Sequence, residues 1–213
     1  EAIIINASHS HFTPIVQAWT TWGEFAQCPD SIYLNEIVIK NVIKGIEDAL
    51  DNMKESTISF TRTKSVIGGN RALSGEDALY DPSVDILNIE SVDRKEHDVF
   101  FLANCHPVFR NEGEEGFTLS ANFPGVAKEM IEEKANVTHA VFFQGCAGDI
   151  NPLHGDHVKS GTILATDVMN ALEGDKDQVS GAITCALDSI LIPVNPWEKS
   201  RVEVFKADNM GQE

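Results

Sequence analysis

Three apolar, strand-like runs in this chain each stop at a polar segment rich in groups that can do chemistry. Ala2-Ile3-Ile4-Ile5-Asn6 leads to His9-Ser10-His11. Asp98 to Cys105 leads to His106. Ala140 to Cys146 leads to Gly148-Asp149-Ile150-Asn151-Pro152. Two further runs, Thr57 to Ser65 and Val84 to Glu90, alternate like strands, the second separated from Asp98 to Cys105 by the polar turn Ser91 to His97. Between the strands lie helical patterns. Ile39, Val42, Ile43, Ile46, Ala49, Leu50 and Met53 repeat at helical spacing within Ile32 to Met53, interrupted only by Gly45. Pro124 opens a helix running to about Ala135, and Val158 to Leu172 is amphipathic. Gly181 to Val194 reads as a long strand or hairpin arm, and Gly68-Gly69-Asn70-Arg71 and Asn111 to Glu115 read as loops.

This alternation predicts an α/β domain: a mixed sheet flanked by helices. In an open α/β sheet, sites form in the crevice beyond the carboxyl ends of strands. The three polar segments are therefore expected to meet there, placing a metal site at strand ends.

At 213 residues and 42% hydrophobic, the chain can bury a core without disulfides or structural metal, so a bound metal is expected to be catalytic. The formal net charge of -17 argues against nucleic acid as a partner, since phosphate binding needs a basic stripe. It also disfavours electrostatic docking on anionic membranes. Cys28, Cys105, Cys146 and Cys185 show no CxxC pairing, and Cys105 and Cys146 are expected to be core thiols. No span of about 18 apolar residues and no leader peptide is visible. The chain opens on Glu1 and closes soon after an apolar run, so residues 1–213 read as one α/β catalytic-domain portion of a longer protein, truncated at both ends.

Each polar segment has two readings. On extended chain, residues two apart face the same side, so His9 and His11 can present two nitrogens to one zinc-sized pocket; equally, they are two loop histidines. Pro107 keeps His106 extended, as a ligand or as a hydrogen-bonded structural group. Asp149 can accept from the second nitrogen of a metal-bound histidine, or simply form an Asp-Asn-Pro turn. Arg71 can stabilise oxyanion charge, or sit in a surface ion pair.

Six segments in one order resemble the neutral/alkaline non-lysosomal ceramidase superfamily. They are Ala7-Ser8-His9-Ser10-His11 with Pro14; Asn70-Arg71; Asp81 to Leu87; Asn104-Cys105-His106-Pro107; Leu119 to Gly125; and Phe143 to Pro152. The resemblance implies a zinc amidohydrolase that cleaves the amide of an N-acyl sphingoid base, and it favours a secreted or periplasmic location. It matches His9 and His106 to zinc ligands, and His11 and Arg71 to groups that contact the substrate around the scissile amide. It places a further Glu and Tyr ligand beyond Glu213. The family pattern departs at three places: Asn151 stands where the ceramidases carry serine, Phe12-Thr13-Pro14 replaces Ser-Gly-Pro, and Asn122 ends the usual Ser-Ala-Asp. Asn151 is thus expected to bear on substrate choice, with ceramide or a related lipid amide as substrate. Two other classes fit less of the pattern: a ligand-binding relative without catalysis, and a metallophosphoesterase, whose Asp-x-His opening is His9-Ser10-His11 here.

Overall fold

The computed structural model describes residues 3–18, 28–108, 118–193, 196 and 198–209. They fall into two units, Ile3–Gly181 and the described part of Ala182–Glu213. The first carries the sheet. Its strands are β1 (Ser56–Lys64), β2 (Gly68–Asn70), β3 (Ser83–Ser91), β4 (His97–Ala103), β5 (His139–Gln144), β6 (Ile150–Pro152) and β7 (Asp177–Val179). Its helices are α1 (Lys40–Asp51), continuous with a π-helical stretch Tyr33–Ile39, then α2 (Asn122–Lys134) and α3 (His157–Leu172). The second unit contains α4 (Lys199–Asn209).

Five strands form one sheet in the order β5-β4-β3-β1-β7. The β4–β5 pair is parallel and the others are antiparallel, so the sheet is mixed as expected. The β3–β4 turn closes because the Ser91 hydroxyl accepts from the amides of Lys95 and Glu96 while Arg94 takes a left-handed backbone. A parallel pair needs a crossover, and α2 supplies it between β4 and β5.

The period-two pattern decides which face is buried. Val84, Ile86, Val99, Phe101 and Ala140 point to one side and meet Phe123, Ala127 and Ile131 of α2 and Leu164, Ala165 and Val168 of α3. All are essentially removed from water. At roughly 1.5–3 kcal/mol for each large apolar side chain, this cluster is the main stabilising contact of the unit. Asp156 caps α3 by accepting from the amides of Val158 and Lys159. On the opposite face Leu87, Phe100, Leu102 and Phe143 keep part of their surface exposed.

Several sequence expectations are corrected. Ile3, Ile4 and Ile5 form no strand and are 70–82% exposed. The outer edge of β5 meets this segment through the Asn6 side chain and not through a backbone ladder. Residues 181–193 likewise form no strand, and Leu187 and Leu191 are fully exposed. Gly68–Asn70 is a strand, not a loop: it pairs with Ile150–Pro152, register Gly68↔Pro152 to Asn70↔Ile150. Cys105 is buried, but Cys146 lies past the end of β5 and is exposed. The helix around α1 forms where its periodicity placed it, yet none of its residues is buried. The loop expected at Asn111 to Glu115 lies outside the described residues.

Candidate metal centre

β4 and β5 run parallel, so their carboxyl ends, Ala103 and Gln144, lie side by side. The chain leaving β4 carries His106, and the chain leaving β5 turns through Ala147 and Asp149 into β6. Pairing of β6 with β2 brings Asn70 and Arg71 to the same end. The amino-terminal segment crosses this end as well, with the His11 amide donating to the Pro107 carbonyl at 3.3 Å.

His9, His11 and His106 therefore converge. One nitrogen from each lies within 4.8 Å of the others. Ring centroids are 4.6 Å apart for His9 and His106 and 5.2 Å for each pair with His11. The expectation that His9 and His11 face one place holds, by a different route: His9 is not extended but left-handed, at φ 59°. Such a backbone costs a non-glycine residue of order 1 kcal/mol and persists where surroundings over-determine it.

His106 is buried, and its Nδ1 is 2.7 Å from the Ala147 carbonyl oxygen. A carbonyl only accepts, so Nδ1 carries the proton and Nε2 keeps its lone pair. That Nε2 faces His9 Nε2 at 2.9 Å. Burial lowers the His106 pKa below its ordinary value against the opposing effect of the Ala147 bond, and His9 and Arg71 lower it further. Burial lowers that of His11 as well, although the residue keeps an exposed edge, and the nearby His106, His9 and Arg71 add to the effect. Neutral imidazoles are what a metal requires.

The donors suit a zinc-type ion: the imidazole nitrogens of His9 and His106 face each other, His106 is oriented by a backbone carbonyl through its second nitrogen, and His11 lies alongside. Zinc–nitrogen bonds of about 2.0–2.1 Å hold tetrahedral ligand nitrogens about 3.3 Å apart, close to the spacing of His9 and His106.

The other expected residues gather around this cluster. Arg71 donates from Nη2 to the Gly148 carbonyl at 2.8 Å and from its backbone amide to the Asp149 carbonyl at 2.8 Å. The Asp149 carboxylate accepts from Asn70 Nδ2 at 2.7 Å. The acceptor for His106 is thus Ala147 and not Asp149, whose part is to hold the Asn70-Arg71 segment. Asn151 pairs with Gly69 in the β2–β6 ribbon, and its Oδ1 is buried with no hydrogen-bond partner among the described residues. Ala147 was not foreseen, because a backbone carbonyl has no residue-type signal. No helix among the described residues is long and apolar enough to cross a membrane.

A mixed sheet with three histidines gathered at its strand ends defines an α/β protein with a candidate metal centre. Its fold is similar to that of part of neutral ceramidase. The crystal structure of neutral ceramidase from Pseudomonas aeruginosa matches with a TM-score of 0.69 over 83% of this chain, at 16% identity. A structure described as ceramidase complexed with C2 matches with a TM-score of 0.69 over 83% of the chain, at 15% identity. The chain covers 32% and 31% of those two structures, about a third of their length. No family model and no curated protein matches the chain.

Proposed function

We propose that the chain carries the zinc-binding part of an amidohydrolase that cleaves an N-acyl amide, ceramide or a related lipid amide. The observation that supports this reading is the His9–His11–His106 cluster at the strand ends of a ceramidase-like fold. His9 and His106 hold the ion through their facing Nε2 atoms. Bound zinc supplies a Lewis acid and a water whose pKa falls to about 7.

The remaining work falls to the protein. The Ala147 carbonyl fixes the His106 ring and leaves its Nε2 basic. His11, within the same cluster, contacts the scissile amide and protonates or stabilises the tetrahedral intermediate. Arg71 is held at one guanidinium nitrogen by Gly148, and its other donors serve the developing oxyanion. A well-placed donor of that kind contributes roughly 3–4 kcal/mol. Asp149 fixes Asn70 and so the approach of Arg71. Asn151, an amide in the position of the ceramidase serine, sets substrate preference.

The test is a panel of N-acyl sphingoids, N-acyl amino acids and short acyl amides, compared by kcat/KM on the complete protein. The expected result is hydrolysis of an N-acyl amide, abolished by chelation and restored by zinc, with ceramide not the best substrate. A clear lead for ceramide removes Asn151 as the determinant. Zinc binding without turnover of any member favours a ligand-binding relative.

A further inference from the structure

We propose that Asn6 and Gln144 form a clamp that sets His9 against His106, making both of them positioning residues for the metal centre. The proposal rests on the reading of His9 and His106 as ligands. Asn6 Nδ2 donates to the Gln144 carbonyl at 3.2 Å, and Asn6 Oδ1 accepts from the Gln144 amide at 2.9 Å. One side-chain amide thereby closes the two-bond ring that a hydrogen-bonded residue pair closes in an antiparallel ladder. It does so at the last residue of β5, where the strand's outer edge would otherwise be open.

Gln144 has a second grip. Its side-chain Nε2 donates to the carbonyls of Cys105 and Gly145, each at 3.2 Å. Cys105 immediately precedes His106, and Asn6 stands three residues before His9. One glutamine therefore holds both histidine-bearing segments, its backbone gripping one and its side chain the other.

The left-handed backbone of His9 explains why a clamp is needed. A strained residue relaxes unless the chain is fixed on both sides. Downstream, Ser10 Oγ donates to the Ser120 carbonyl at 2.7 Å, the Phe12 carbonyl accepts from the Ser120 amide at 3.0 Å, and the His11 amide reaches Pro107. Upstream, among the described residues, the hydrogen bonds to the rest of the unit are those of Asn6. Ile3, Ile4 and Ile5 are exposed and contribute little packing. Without Asn6, His9 is fixed on one side only.

The experiment compares Asn6→Ala and Asn6→Asp with the parent chain. Asn35→Ala, which removes an equally exposed amide-to-carbonyl bond within the helix, is the control. Zinc dissociation constants are measured with the metal alone, by competition with a chromophoric chelator. Amide hydrogen exchange over residues 9–12 is measured in metal-free protein, together with the urea midpoint. Loss of a group bonded directly to a metal ligand weakens metal binding by about 10–100-fold, and Asn6, which acts through the backbone, is expected at the lower end of that range. The expected result is a zinc constant weakened about tenfold in both Asn6 variants, with faster exchange at His11, an unchanged urea midpoint and no effect of Asn35→Ala. Aspartate fails as alanine does, because a carboxylate cannot donate to the Gln144 carbonyl. Parental zinc affinity in both Asn6 variants overturns the proposal. If the parent itself binds no zinc, the metal reading fails; exchange at His11 then decides the clamp, faster exchange in Asn6→Ala supporting it and parental exchange overturning it.

Discussion

The Nε2 atoms of His9 and His106 stand 2.9 Å apart although 97 residues separate them in the chain. Because Nδ1 of His106 is committed to Ala147, its Nε2 offers a lone pair, and the gap holds either a proton from His9 or a cation shared by both rings. Replacing the proton by zinc asks the rings to part by only a few tenths of an ångström, given bonds of about 2.0–2.1 Å.

Arg71 lies beside this pair. If its free donors meet the oxyanion, Arg71→Ala lowers kcat by about 10²–10³ and raises KM less. Arg71→Lys recovers little, because an ammonium lacks the planar fork that bonds Gly148 while keeping donors free. Steady-state kinetics on the complete protein check this. A wild-type kcat in Arg71→Ala leaves the residue with the structural bond to Gly148 alone.

Two glycines in helices predict opposite effects of the same change. A Cβ on Gly45 meets nothing within 4 Å, so Gly45→Ala stabilises α1 by about 0.5–1 kcal/mol. A Cβ on Gly161 would lie 2.6 Å from Val126 Cβ and 2.7 Å from the Phe123 carbonyl oxygen. That carbonyl belongs to α2 and cannot rotate away. Overpacking, at about 1–3 kcal/mol, therefore outweighs the gain in helix propensity, and Gly161→Ala destabilises the protein. Urea midpoints measure both; equal stabilisation by both substitutions would contradict the close crossing of α2 and α3.

Tyr80 predicts a pH effect that does not depend on the histidines. Its hydroxyl donates to the Ser65 carbonyl at 3.0 Å, and burial, with a smaller contribution from Cys105, pushes its pKa up to about 12. The folded state thus prefers the neutral phenol. Its contribution is complete below the unfolded pKa of about 10 and is lost as pH rises from there to about 12. Tyr80→Phe lowers stability at neutral pH by about 1 kcal/mol and flattens the alkaline loss relative to the parent. Denaturant midpoints at pH 8 and above pH 10 test the sign; an alkaline loss as steep in Tyr80→Phe as in the parent assigns it to other groups.

Periodicity made β3, β4, β5, α2 and α3 legible, because each has one face against the common core and a regular apolar spacing to match; β1 was legible from its alternation alone, its one buried residue being Ser59. Ile3 to Ile5 and the 181–193 segment carry equally apolar runs. Hydrophobicity states only that such a run is suited to burial; it does not supply the neighbouring strand. β2 and β6 are three-residue strands whose paired residues lie eighty or more positions apart, and their glycines and proline resemble turn chemistry. At the site, His106 was legible as a histidine following a strand, His9 and His11 as a pair two apart after an apolar run that forms no strand, and Arg71 as a cation after a glycine pair. The Ala147 carbonyl, the Asn6 amide and the left-handed turn at His9 depend on tertiary placement and leave no pattern in sequence.

Bound zinc per chain in the histidine variants of the complete protein, read by elemental analysis, decides whether His9 and His106 are metal ligands. The expected result is about one zinc in the parent, loss of zinc in His9→Ala and in His106→Ala, and retained zinc with reduced turnover in His11→Ala. Undiminished zinc in both His9→Ala and His106→Ala would contradict it.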